Sequence, residues 1–315
     1  MMRTIATTVL LMCAAGTGVS ALPPAYTLRL QGGSTLTPDG RITFLQLGGL
    51  GSYRHALESG GILSLRSSAA VSYLPAPIDL PGDSESLEVV LLMPAGRAEV
   101  TAAASLESSL LDPEFKPGWA VGVSLPLAAR DTRWGVDYSG SYRWRQQAGE
   151  RTLQHTLLTH LDIEEGIRRS WSLSLEGELE QAPLAAAIYD SFGLKLGGEV
   201  GGLIGFFTVW DIYLSTSYRG RPDDGSSILR QTVGGSIGTS PIRQISIDGG
   251  FDIEHSWYRP AGDQSLFTGG SIRLDYTPDD VVFLLIELGG GRTFADNPQL
   301  ARWSSTAQVG VEINF

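Results

Sequence analysis

Cysteine is almost missing from this sequence: one residue, Cys13, lies inside the N-terminal segment. If that segment is removed, no thiol is left, which excludes disulfide bridges, thiol catalysis and thiolate metal sites. Long apolar runs are missing too. After residue 21 there is no stretch of about eighteen apolar residues, the length a membrane-spanning helix needs. The helical period hardly occurs, and its best candidate, Tyr53 to Ser59, is short. Lysine is confined to Lys116 and Lys195, and acids outnumber bases to give a net charge of −11. So acidic a chain is repelled by nucleic acid, which is not an expected partner.

The first twenty-one residues have the anatomy of a secretory signal peptide. Arg3 supplies the positive start, Ile5 to Ala15 the short apolar run, and Val19-Ser20-Ala21 the small residues at a cleavage site. The alternative, a lipoprotein signal at Leu10-Leu11-Met12-Cys13, has a poorly suited Met before the Cys. Cleavage after Ala21 leaves 22 basic against 34 acidic residues, a net charge of −12, and a single domain over 22–315.

What the sequence has in abundance is alternation. In Arg302 to Phe315 one set of alternate residues is Trp303, Ser305, Ala307, Val309, Val311, Ile313 and Phe315, and the other is polar. Successive side chains of a strand point to opposite faces, so this is a long strand with one apolar face, ended by aromatics. Similar runs recur along the chain. About sixteen are expected, or fourteen if the first two, near Tyr26 to Gln31 and Arg41 to Leu50, stay outside the set. Short connections alternate with longer ones from Leu74 onward; the exception is Gly51 to Gly61, a candidate small insert. Aromatics gather near the strand ends, among them Trp119, Trp134, Trp144, Trp171, Tyr218, Trp257, Tyr276 and Trp303. A soluble β-sandwich alternates as well, but with strands of about five or six residues. The pattern predicts an all-β fold: a transmembrane, antiparallel, up-and-down β-barrel with apolar residues towards lipid and polar residues towards a lumen.

The polar parity nominates the lumen lining. Its basic members are Arg66, Arg143, Lys195, Arg219, Arg230 and Arg273. The acidic ones are Asp137, Glu176, Glu178, Glu199, Asp211, Asp248, Asp252, Glu254 and Glu287. Acids paired with arginines across strands, with acid in surplus, would make a cation-attracting lumen. Phe283 and Leu285 are apolar residues on the same parity. Catalytic readings find little. Gly234-Gly235-Ser236-Ile237-Gly238 fits G-x-S-x-G but lacks the strand-turn-helix context of a nucleophile elbow. His155 and His255 have the outward parity, without a serine two residues away on the same face. No enzyme activity, metal or cofactor is expected.

The signal peptide, the strand count and the terminal Val309, Val311, Ile313 and Phe315 resemble the porin-like outer-membrane β-barrel superfamily of Gram-negative-type bacteria. The resemblance implies an outer-membrane location, contact with outer-membrane lipid, and a last strand read by the barrel assembly machinery. It leaves the activity open, since one fold hosts many. The readings are a passive channel for small polar solutes with weak cation preference, an export or uptake conduit with periplasmic partners, a barrel lipase or protease, and a closed scaffold.

Overall fold

The computed structural model describes residues 25–314 except 38–39, 58, 75–79, 110–113, 128–130, 146–149, 166–168, 182–190, 223–224, 280 and 299–300. The signal-peptide segment with Cys13, and Phe315, lie outside the described residues. The chain forms sixteen strands. The first eight are β1 (Ala25–Thr37), β2 (Gly40–Ala56), β3 (Ile62–Leu74), β4 (Leu80–Ala95), β5 (Ala98–Ser109), β6 (Glu114–Pro126), β7 (Thr132–Arg145) and β8 (Glu150–Glu164). The rest are β9 (Arg169–Gln181), β10 (Ser191–Ile204), β11 (Thr208–Gly220), β12 (Ser227–Ile242), β13 (Ile245–Arg259), β14 (Gln264–Tyr276), β15 (Val282–Ala295) and β16 (Arg302–Asn314).

Every strand pairs antiparallel with its sequence neighbours, and β1 pairs with β16, so the sheet closes. Closure satisfies the backbone hydrogen bonds of each strand and leaves no edge, the condition for a sheet to stand in hydrocarbon. The apolar parity forms one continuous face. Among the described residues only Tyr53 and Ala69 are buried hydrophobics, while large apolar side chains such as Leu157, Leu194, Leu214 and Ile272 are exposed. A water-soluble sandwich would bury that face; here it is the outside of the ring.

Charged side chains show which face is concave. Arg219 on β11 donates to Glu178 and Glu180 on β9 at 2.9 Å each, reaching across β10. Side chains on alternate strands converge on the inside of a curved sheet and diverge on the outside. The polar parity is therefore the lumen side, and register carries that assignment around the ring.

Outward tryptophans and tyrosines concentrate in two girdles, with a few aromatics such as Tyr138 and Phe251 between them. Trp134, Trp171 and Trp210 lie at the end where the chain enters and leaves; Trp144, Tyr218, Trp257 and Trp303 lie at the other. From Trp134 to Trp144 is ten residues of β7. At about 3.4 Å per residue and a tilt of about 40°, that is a height of about 26 Å, close to the roughly 25 Å apolar band of membrane barrels.

Three sequence expectations change. Tyr53 to Ala56 do not start a helix or an insert. They continue β2, in register with Leu65 to Ile62 of β3, and the connection shrinks to 57–61. The alternation of β2 is irregular because Phe44 and Leu50 share its lumen-side parity with Gln46. Alternation with Trp210 and Ile212 predicts Phe206 as part of their strand; it belongs instead to the turn between β10 and β11 and is 87% exposed. The contrast in connection lengths is weaker than expected, because β4 already starts at Leu80. Connections hold two to five residues at the end with both termini and two to nine at the other.

The seam between β1 and β16 has ten paired positions, from Thr27 with Asn314 to Leu36 with Ser305. Near the terminal end Arg29 donates to Glu312 at 2.6 Å, and Thr27 donates to Asn314 at 2.8 Å. At Gly33 a Cβ would stand 2.6 Å from the carbonyl oxygen of Ala307, 2.8 Å from Gln308 Cβ and 2.9 Å from Phe44 Cζ. Backbone is one of those obstacles, so a larger residue must part the seam. Gly33→Val is expected to lower stability in urea by about 1–3 kcal/mol, the usual cost of overpacking. Gly177→Ala, where a Cβ meets nothing within 4 Å, should not lower the unfolding midpoint.

Candidate functional site: the inward face

The structure places every nominated lumen residue on the inward parity. Arg66 is on β3, Asp137 and Arg143 on β7, Glu176 and Glu178 on β9, and Lys195 and Glu199 on β10. Asp211 and Arg219 are on β11, Arg230 on β12, Asp248, Asp252 and Glu254 on β13, Arg273 on β14 and Glu287 on β15. Most of the arginines are paired. Arg66 lies 3.7 Å from Glu88, Arg143 2.8 Å from Glu114, Arg230 3.0 Å from Glu254 and Arg273 2.8 Å from Asp275. All of these groups are partly exposed, and such pairs contribute at most about 1 kcal/mol each. They matter more for where charge is left over.

That remainder is unevenly spread. Among the side chains described on β1–β8, seven inward acids (Glu88, Glu99, Glu107, Glu114, Asp137, Asp162, Glu164) face seven inward bases (Arg29, Arg54, Arg66, Lys116, Arg133, Arg143, Arg145). On β9–β13 eight acids (Glu176, Glu178, Glu180, Glu199, Asp211, Asp248, Asp252, Glu254) face only three bases (Lys195, Arg219, Arg230). On β14–β16 three acids (Asp275, Glu287, Glu312) face two bases (Arg273, Arg302), so the lumen has one strongly acidic sector, β9–β13, which carries most of the net charge among the described side chains.

Two features of this sector were not evident from composition. The first is the role of inward glycine. Gly193 pairs with Glu178 on one side and Arg219 on the other, so the absent side chain opens the path by which Arg219 reaches β9. Gly234 lies beneath Tyr213 and Asp252, whose side chains fold over it. The second is hydroxyl pairing. Tyr213 donates to Asp252, and Ser236 donates to Asp211. These bonds hold two carboxylates against the wall without neutralising them.

The catalytic candidates are placed as follows. Ser236 sits in the middle of β12, in a strand and not at a turn before a helix. His155 faces outward, with Nδ1 2.7 Å from the Tyr138 hydroxyl. His255 faces outward with Nε2 3.2 Å from Gln264 Oε1 and its ring 3.8 Å from that of Trp257. Neither has a serine among its hydrogen-bond partners here. His160 faces inward, 3.4 Å from Asp137 and 3.5 Å from Asp162. No group of three or more metal-ligating side chains occurs among the described residues. Phe283 and Leu285 line an inward recess of about 460 Å³ near the terminal end, beside Arg29, Arg273 and Glu312.

No protein-family model and no curated protein matches the sequence. Solved structures do resemble the fold. In-vitro folded OmpT, an outer membrane protein of Vibrio cholerae, superposes with a TM-score of 0.60 at 8% identity over 95% of this chain and 99% of its own. A bacterial polysaccharide outer membrane secretin gives 0.53 at 12% identity, covering 92% and 98%. A variant of OccD1 (OprD) gives 0.52 at 8% identity, covering 96% and 98%. The chain therefore has the fold of the bacterial outer-membrane β-barrels, as a closed ring of sixteen antiparallel strands, with no narrower family distinguished within it.

Proposed function

We propose that this protein is a passive, weakly cation-preferring channel of a bacterial outer membrane, admitting small polar solutes. The observation that carries the reading is the acidic sector of β9–β13, exposed on the inside of a wide ring. Sixteen strands about 4.8 Å apart and tilted by about 40° enclose about 30–35 Å between backbones, a size at which barrels leave an aqueous channel. Among the described residues every strand belongs to the wall, and no element fills the interior. The route to the membrane would be export with a cleaved signal peptide and insertion by the barrel assembly machinery. The proposal includes no catalytic step, cofactor or nucleic acid.

The refolded barrel in planar bilayers is expected to give stepwise conductance, with a reversal potential on the cation side in a salt gradient. Absence of any conductance from correctly folded protein would sink the reading. A second reading, a conduit working with a periplasmic partner, is favoured by Phe283 and Leu285. They place an apolar surface on the inside of the wall at the terminal end, where the channel reading expects polar residues. Copurification of a periplasmic protein that is lost on Phe283→Ser would favour this alternative.

A further inference from the structure

The outward face of β8–β16 carries no Asp or Glu among the described residues, although the chain as a whole is acidic. Its outward charges are all cations: Arg151, Arg169, Arg259 and Arg292. At the end away from the termini one of these borders a formed groove. Tyr218, Leu229 and Trp257, on the outward faces of β11, β12 and β13, line a recess of about 380 Å³ whose mouth carries Arg259 and Gly262. Two strands further on, Arg292 lies 4.7 Å over the ring of Phe294, also outward.

We infer that this groove binds one anionic, phosphate-bearing lipid, with an acyl chain against Tyr218, Leu229 and Trp257 and the phosphate on Arg259. The position fixes the class of occupant. A recess on the convex face, within the aromatic girdle, opens to the bilayer and not to the lumen. Its walls match a hydrocarbon chain, and the guanidinium at its rim matches phosphate, which it can bind through two N–H groups at once. Gly262 adds no side chain at the mouth, so a headgroup can approach. The outward strand faces around it offer a second cation and no carboxylate among the described residues, and Asp263 in the adjoining turn accepts a hydrogen bond from Asn297. This site is independent of what crosses the lumen.

The test uses the full-length folded barrel in uncharged detergent, with lipid retention read by native mass spectrometry. Phosphatidylglycerol is expected to give one retained adduct at concentrations where phosphatidylcholine gives none. Arg259→Gln should weaken that adduct by about tenfold, the loss expected for one charge-assisted contact. Trp257→Ala should weaken it as well, while Arg133→Gln, an equal charge change on the inward face at the opposite end, should not. Heat-dependent mobility in gels verifies that each variant is folded. Equal retention of the two lipids by the unaltered protein would overturn the inference without any variant. So would unchanged binding by folded Arg259→Gln. Displacement of phosphatidylglycerol by millimolar inorganic phosphate would also overturn it, by reducing the site to one for the free ion.

Discussion

Leu196→Arg is expected to destabilise the barrel in lipid vesicles by about 2–4 kcal/mol, whereas Ser236→Arg costs nothing measurable. Both positions lie well inside a strand, Leu196 in β10 and Ser236 in β12. Leu196 is outward, 52% exposed, and flanked in register by Leu175 and Thr216. A guanidinium there would face hydrocarbon with no acid in reach, and could only distort the bilayer or draw in water. Ser236 is inward. Asp211 is its direct partner on β11, and Asp252 and Asp248 pair with Gly234 and Gly238, one step away on either side. An arginine at 236 would meet three carboxylates and lumen water. Urea unfolding followed by tryptophan fluorescence in vesicles measures both. Equal losses would mean that the two parities do not face different solvents, and the membrane assignment would fall with them.

The face assignment was legible in the sequence because it depends on a single local variable, the parity of each residue within its strand. The sixteen strands and the inward position of every nominated charge follow from it. What misled was any place where lumen and lipid chemistry overlap. A lumen can tolerate apolar residues, so Phe44 and Leu50 blurred β2, and Tyr53 to Ala56 were left out of a strand they complete. Loop lengths misled for a related reason. Strands such as β4 continue beyond the apolar band into polar residues, Gly82 to Glu85, that look like loop when read alone.

The arrangement of charge around the ring was not legible, because it depends on contacts distant in sequence. Arg219 and Glu178 are separated by 41 positions and joined across an intervening strand. The glycine that permits this, Gly193, was visible only as one small residue among many. Composition gives the excess of acid; only the closed register shows that the described side chains of β1–β8 are balanced and that most of the excess lies on β9–β13.

That localisation leads to the largest functional effect. Replacing Glu199 with Gln and Asp211, Asp248 and Asp252 with Asn is expected to abolish cation preference. The four changes reduce the sector from eight acids to four against the same three bases. None of the four lies within ion-pair distance of an arginine or lysine in the contacts described, so their removal strands no buried partner and the barrel should remain folded. In 0.1 M salt the screening length is about 10 Å, shorter than the width of about 20 Å left between inward side chains, so a one-sided charge acts on only part of the cross-section. A cation-to-anion permeability ratio of roughly three is therefore reasonable for the unaltered channel at that salt, falling to about one in the fourfold variant. At 0.01 M the screening length is about 30 Å and covers the whole lumen, so the difference between the two proteins should widen. Arg219→Gln supplies the opposite sign. It leaves Glu178 and Glu180 without their 2.9 Å cation, and the ratio should rise. Reversal potentials at both salt concentrations distinguish these cases. If the ratio is insensitive to all five positions, selectivity arises elsewhere and the acidic sector is only a way of keeping the inner wall wet.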